Sequence, residues 1–110
     1  MQNVSNLNDL NTIINNNDCV AVYFSSTTCS VCNVLKNKME FMFSKNFPLF
    51  KTTEITIKQN TLYIAACHNV FTAPTLLIFF RQKEFLRKVN NWSVTELIES
   101  IKRPYNILTK

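Results

Sequence analysis

The chain has 110 residues, of which 46% are hydrophobic and 17% are charged. This length predicts one domain over residues 1–110, and this composition excludes a disordered chain. The absence of glycine excludes phosphate loops, dinucleotide fingerprints and EF-hand loops, because each of them needs glycine. The net charge of +5 is densest over residues 81–88, which we interpret as the solvated edge of a hairpin rather than a nucleic-acid site.

The first part of the sequence predicts a helix, a strand and a second helix. Apolar side chains recur at helical spacing over residues 5–16, and Asn6 or Asn8 can cap this helix. Residues 19–24 are continuously apolar, which is typical of a strand that is buried on both faces. A loop then leads into an amphipathic helix pattern over residues 29–45.

The middle of the sequence predicts three more strands and a short helix. Apolar and polar residues alternate over residues 49–57, with Glu54 on the more polar side of this strand. A short helix is predicted over residues 60–70. Residues 75–80 then form an apolar strand, and residues 84–89 pair back with it after a turn.

The last element is a helix that opens with the capping box Ser93-Val94-Thr95-Glu96 and ends at Pro104, so that residues 104–110 include a loose tail. The predicted order is therefore α, β, α, β, α, β, β, α. Alternating strands and helices require parallel strands with crossover connections, whereas the last two strands form an antiparallel hairpin. The sequence thus predicts an α/β fold with a mixed central sheet and helices on both faces.

Two cysteines stand where the first predicted strand meets the second helix, in the order Cys29-Ser30-Val31-Cys32. The free N–H groups and positive dipole end of a helix N-terminus favour a thiolate at Cys29. Cys32 follows one turn later, close enough to close a disulfide, so the pattern predicts a redox dithiol. Zinc sites use the same spacing, and a metal pair or a purely structural disulfide therefore stays open as an alternative.

Two segments of the sequence resemble the thioredoxin family. The first, residues 24–32, has the family's order of strand, CxxC motif and helix. The second, residues 70–80, places Pro74 directly before a buried strand, where the family has a cis-proline. Together with the order of elements, the resemblance covers residues 5–103 and implies a thioredoxin fold.

The resemblance also implies an activity, which is reduction of protein disulfides by thiol–disulfide exchange. Cys29 would be the attacking thiolate and Cys32 the more buried resolving thiol. The partners would be disulfide-containing protein substrates, with a thioredoxin reductase as the electron donor. The domain itself would need no cofactor and no metal.

Substrate contacts are implied for residues on both sides of the cysteine pair. Thr28 precedes Cys29 and Val31 lies between the two cysteines, and Phe71 could form an apolar rim with them. The backbone of Ala73, just before Pro74, would pair with an extended substrate segment by strand addition.

The sequence departs from the family pattern at several positions. Thr28 stands where the family has tryptophan, Ser30-Val31 replaces its Gly-Pro, and Asn37 replaces a proline in the following helix. Tyr23 stands where thioredoxins carry a buried acid that helps take a proton from the resolving thiol. We therefore expect that proton to pass to water or to a group that the sequence does not identify. These departures keep open a second reading, a non-catalytic binding module or thiol redox sensor.

The remaining thiols have simpler interpretations. Cys19 begins a buried strand and is expected in the core. Cys67 and His68 end the third helix, where Cys67 is a filler or a surface thiol. The longest apolar run is interrupted by Pro74 and is too short to span a membrane, and the N-terminal residues do not resemble a secretory signal. We therefore expect a cytoplasmic monomer without membrane or nucleic-acid partners.

Overall fold

The computed structural model describes residues 1–109, which form one five-stranded sheet with helices on both sides. The strands are β1 (Gln2–Asn3), β2 (Cys19–Ser26), β3 (Lys51–Ile57), β4 (Thr75–Phe80) and β5 (Lys83–Val89). The helices are α1 (Leu7–Asn16), α2 (Cys32–Asn46), α3 (Leu62–Cys67) and α4 (Val94–Leu108), and a 3₁₀ turn (Gln59–Thr61) precedes α3.

The sheet is mixed, as the sequence predicts, with strand order β1-β3-β2-β4-β5. Strands β1, β3 and β2 are parallel, whereas β4 runs antiparallel to β2 and β5 antiparallel to β4. The predicted α/β fold with its central sheet is thereby confirmed. The sequence pattern missed β1, because a strand of two residues carries no alternation that could reveal it.

Two apolar layers cover the two faces of the sheet. Helices α2 and α4 pack on one face, and α1 and α3 on the other. Strand β2 supplies alternate side chains to both layers, since Ala21 and Tyr23 point to α2 and α4 while Val22 and Phe24 point the other way. Within residues 1–109, no helix is both long and apolar enough to cross a membrane.

The helix starts differ in how well the sequence predicted them. Asn6 caps α1, because its side-chain oxygen accepts a hydrogen bond of 2.8 Å from the Asp9 N–H. Helix α2 begins at Cys32 rather than at Cys29, because β2 extends to Ser26 and a turn follows it. In this turn the Cys29 N–H donates to the Ser26 carbonyl at 3.3 Å.

The prediction that Pro104 ends the last helix was wrong. Ser93 caps α4 as predicted, accepting a hydrogen bond of 3.0 Å from the Glu96 N–H, but the helix then continues to Leu108. The tertiary contacts of Tyr105 outweigh the hydrogen bond that proline removes. Its buried ring lies 4.9 Å from that of Phe47. The predicted loose tail is therefore helical and packed up to Leu108, and Lys110 lies outside the described residues.

The turns use positive φ angles without any glycine. Asn69 and Asn90 have φ of 55° and 65°, and asparagine tolerates this region better than most residues. The β4–β5 turn consists of Arg81 and Gln82, with φ of 49° and 71°. Two central residues with positive φ match the twist of the flanking strands, although neither side chain favours that conformation.

Candidate active site

Cys29 and Cys32 form a disulfide, with their Cα atoms 5.5 Å apart. Strand β2 delivers the chain to one end of the sheet, and the turn after it carries Cys29 into the start of α2. Cys32 is only 3% exposed, whereas Cys29 is half-buried. An incoming molecule therefore reaches Cys29 more easily than Cys32.

The first turn of α2 faces this disulfide with free backbone donors. The first helical hydrogen bond runs from the Leu35 N–H to the Val31 carbonyl, at 3.1 Å. The N–H groups that precede Leu35 have no partner one helical turn back, and Val31 has no side-chain oxygen to cap them. The positive end of the helix therefore lies where a reduced cysteine would carry its charge.

An open groove beside Cys29 brings together three of the four predicted substrate residues. Thr28, Val31 and Ala73 line it, and so does Phe71. Phe71 and Val31 are 81% and 57% exposed, which is unusual for apolar side chains of this size. Pro74, the fourth predicted residue, is buried next to the groove, and the Ala73–Pro74 peptide bond is cis.

A second cavity, of about 300 Å³, lies on the other side of the cysteine pair and contains a carboxylate. Both cysteines line it together with Glu54, which is only 6% exposed. Lys36 Nζ lies 2.8 Å from Glu54 Oε1, and the Ser25 hydroxyl donates to Oε2 at 2.7 Å. A buried acid thus lies near the cysteines, on β3 rather than at the β2 position of Tyr23 that the resemblance implied.

The charge of Glu54 is held by its partners against the effect of burial. Burial alone would raise the pKa of this carboxyl, but the hydrogen bonds from Lys36 and Ser25 and the positive charge of Lys36 lower it overall. Glu54 and Lys36 are therefore an ion pair at neutral pH.

Tyr23 connects the same region to the backbone of Cys32. Its hydroxyl donates a hydrogen bond of 2.9 Å to the Cys32 carbonyl, and its side chain is fully buried. Burial and, to a smaller extent, the charge of Glu54 raise the pKa of Tyr23 to about 12. Tyr23 is therefore neutral at neutral pH and ties the start of α2 to β2.

Alternation along β3 gave little reason to single out Glu54. The sequence places it on the polar side of that strand, but Thr53, Glu54 and Ile55 are all buried. Strand β1 covers the outer edge of β3, and Lys36 reaches Glu54 from α2. One feature of the sequence could have indicated a charged group near the cysteines, because Lys36 follows Cys32 by four residues and therefore shares its helix face.

The other cysteines lie apart from this site. Cys19 is buried in the core, as predicted, and burial is the main cause that raises the pKa of its thiol. Cys67 is exposed at the end of α3. His68 lies between Phe24 and Phe79, and burial lowers its pKa. Among residues 1–109, no three His, Cys, Asp or Glu side chains are grouped closely enough to hold a metal ion.

The fold of this chain is the thioredoxin fold. Mitochondrial thioredoxin 3 from Saccharomyces cerevisiae, in its oxidised form, superposes with a TM-score of 0.82 at 18% identity, covering 94% of both chains. A mutant thioredoxin from Halobacterium salinarum gives a TM-score of 0.82 at 20% identity, over 93% of this chain and 88% of the other. These structures share the thioredoxin fold with this chain.

A sequence relative points the same way. Thioredoxin-like protein YdfQ from Bacillus subtilis is 29% identical over 86 residues, which cover 78% of this chain and 75% of that protein. No protein-family model matches the chain. The predicted resemblance to the thioredoxin family is thus confirmed, and the fold and close cysteine pair support thiol–disulfide exchange as the general activity.

Proposed function

We propose that this chain is a disulfide reductase that acts on disulfide-containing proteins of the cytoplasm through Cys29 and Cys32. The observation that carries the proposal is the Cys29–Cys32 disulfide at the start of α2, beside an open groove. Repeated exchange requires a dithiol that can close into a disulfide and be opened again. We propose that residues 1–110 act as one domain and one monomer.

In the proposed reaction the reduced Cys29 attacks first. Its thiolate bonds to one sulfur of a target disulfide, and the other target sulfur leaves as a thiolate. Cys32 then loses its proton to solvent and attacks Cys29, which releases the second target thiol. Two electrons pass to the target, and the Cys29–Cys32 disulfide is the oxidised product.

The groove would hold the target during this exchange. Val31 and Phe71 expose apolar surface in the groove beside Cys29, and Thr28 also lines this groove. We propose that an extended target segment pairs with the backbone at Ala73, next to Pro74, by strand addition. The side chains of the rim would then select targets with apolar residues near the disulfide.

The chain must be reduced again after each cycle. We propose a thioredoxin reductase as the electron donor, because a dithiol protein of this fold has no electron source of its own. The two residues between the cysteines, Ser30 and Val31, carry no charge that would strongly stabilise a Cys29 thiolate. A reductant is therefore favoured over an oxidant, and we expect a reduction potential near the roughly −270 mV of thioredoxins rather than the roughly −120 mV of strong oxidants.

The test is reduction of insulin disulfides under dithiothreitol, followed by the turbidity of the released B chain. Cys29→Ser is expected to reduce the rate to that of dithiothreitol alone. In a separate mixture without dithiothreitol, the pre-reduced Cys32→Ser variant is expected to accumulate a mixed disulfide with the substrate, because the resolving attack is lost. Cys67→Ser is the matched control, since this exposed thiol lies at the end of α3 and outside the groove.

An active Cys29→Ser variant would refute the assignment. A disulfide that forms and opens reversibly but gives no insulin reduction above the dithiothreitol background would favour the sensor or binding-module reading instead.

A further inference from the structure

The Lys36–Glu54 ion pair has no role in the exchange described so far, although it is enclosed next to the cysteines. Only 28% of the Lys36 side chain and 8% of the Glu54 side chain are exposed. Removing two charges from water is expensive, and a buried ion pair is weak evidence for a stabilising role. The carboxylate of this pair, Glu54, lines one cavity together with both cysteines, and this position calls for another explanation.

The position of the pair relates it to Cys32. Lys36 lies four residues after Cys32 on α2, so the two side chains share one helix face. Glu54 lies directly opposite Tyr23 in the β2–β3 pairing, and the Tyr23 hydroxyl holds the Cys32 carbonyl. The ion pair and the resolving cysteine are thus fixed to the same helix and the same pair of strands.

We propose that the Lys36–Glu54 pair places one positive and one negative charge beside Cys32 and thereby sets how readily this thiol ionises. This inference rests on the proposed function, in which Cys32 must ionise before it resolves the mixed disulfide. The Lys36 ammonium favours a thiolate and the Glu54 carboxylate opposes it, so removal of either charge leaves the effect of the other. The pair is therefore a positioning device, since it acts through Cys32 and not on the substrate.

Other charged groups near the pair have to be counted. Glu40 is close enough to act on Lys36 and is itself paired with the Met1 amino group, which also acts on Glu54. Tyr23 is neutral until about pH 12. Tyr23 therefore stays uncharged near pH 8–9, where thiols titrate. Cys29 is the titratable group nearest to Cys32 in the reduced chain, and it is present in every variant and followed separately. The same N-terminus is kept in every variant.

The experiment is a pH titration of each thiol in the fully reduced chain, by iodoacetamide alkylation with site-resolved mass spectrometry. Glu54→Gln is expected to lower the midpoint of Cys32 by about one pH unit, which is about tenfold more thiolate below the midpoint. Lys36→Met is expected to raise the Cys32 midpoint by a smaller amount. Without Lys36, burial raises the pKa of Glu54, so this carboxyl is partly protonated and opposes the Cys32 thiolate less. The double variant is expected to return close to the wild-type midpoint.

Two internal controls separate this effect from loosening of the fold. Glu84→Gln removes a carboxylate that pairs with Arg87 on β5, and it is expected to leave Cys32 unchanged. The exposed Cys67 serves as a reference thiol in every sample. If Glu54→Gln and Lys36→Met shift the Cys32 midpoint in the same direction, the proposed effect of the two charges is overturned. The variants then act only by exposing the thiol.

The inference also fails if Glu54→Gln leaves the Cys32 midpoint in place or raises it. Slower resolution of a mixed disulfide with an unchanged midpoint would likewise overturn it, and would make Glu54 a proton acceptor instead. The titration needs no protein substrate, so it decides this inference even if the insulin assay refutes the proposed function.

Discussion

The two ends of helix α2 lie on the same face of the sheet but are built from different chemistry. At its start, the disulfide and the Glu54 carboxylate line one cavity, and Lys36 forms an ion pair with Glu54. The Tyr23 hydroxyl donates a hydrogen bond to the Cys32 carbonyl. At its end, five aromatic rings pack together with ring centroids 4.9 to 6.4 Å apart. These rings belong to Phe43, Phe47, Phe50, Phe80 and Tyr105.

The difference shows how the chain separates stability from reactivity. Aromatic pairs add about 0.5–1.5 kcal/mol beyond the area they bury, whereas a buried ion pair gains little or nothing over an apolar replacement. The aromatic end can therefore hold α2 in place while the charges at the other end are tuned for thiol chemistry. Changes at one end should leave the properties of the other end unaffected.

The largest effect on stability is expected at the aromatic end. Phe50→Ala removes a ring that lies 5.0 Å from Phe43, 5.5 Å from Phe80 and 5.8 Å from Tyr105. We expect it to lower the free energy of unfolding by about 3–5 kcal/mol in urea titrations. Phe41→Ala is the matched control, because that ring is 66% exposed and should lose less than about 1 kcal/mol. If the midpoint of the Cys32 titration shifts in a folded Phe50→Ala variant, the two ends of α2 are not independent.

A smaller effect is expected at the polar end, and only in acid. The pKa of Glu54 is lower in the folded protein than its ordinary 4.5. The unfolded chain therefore takes up the proton first, and the stability linked to this group is present above pH 4.5 and lost as the pH falls through the folded value. Urea titrations of the oxidised protein between pH 3 and 7 should show this loss in wild type and a smaller one in Glu54→Gln.

Two other groups need to be distinguished in this experiment. Burial lowers the pKa of His68, so the loss of its contribution begins as the pH falls below 6.5, whereas that of Glu54 begins only below 4.5. The pKa of Glu84 is also lowered, chiefly by its hydrogen bond to Arg87, but this pair is more exposed and solvent screens it. Glu84→Gln should therefore retain most of the acid loss, and an equal effect of both variants would contradict the assignment to Glu54.

The smallest effect is expected at the β4–β5 turn, which follows the aromatic residue Phe80. Gln82 has a φ of 71°, a conformation that costs a residue with a side chain about 1–2 kcal/mol. Gln82→Gly should raise the free energy of unfolding by about 0.5–1 kcal/mol, because glycine removes this strain but makes the unfolded chain more flexible. Lys83→Gly, in the adjoining strand, should instead destabilise the protein. Neither change should alter the thiol titration.

The sequence predicted the parts of this molecule that local patterns encode. The apolar strand that begins at Cys19, the cap at Asn6 and the cap at Ser93 need only neighbouring residues, and all three are found. The cysteine spacing likewise predicted that the two thiols are close enough to form the disulfide. Such features can be recognised because each depends on a few consecutive residues.

Features that depend on distant contacts were missed. Pro104 reads as the end of a helix, but α4 continues because Phe47 and Phe50 pack against Tyr105. Glu54 reads as a polar strand residue, but Lys36 and Ser25 enclose it. In each case a residue's local preference is overridden by partners that lie far away in the sequence.

The contact between Leu49 and Tyr105 has a consequence for the order of events during translation. The Leu49 N–H donates to the Tyr105 hydroxyl across a separation of 56 residues. At roughly 5–20 residues per second, the ribosome needs about 3–11 s to bridge such a gap. Throughout that interval Phe47 and Phe50 are already synthesised but lack the ring that closes over them. The nascent chain therefore carries an open aromatic surface, which is the stage at which a chaperone would bind it most readily.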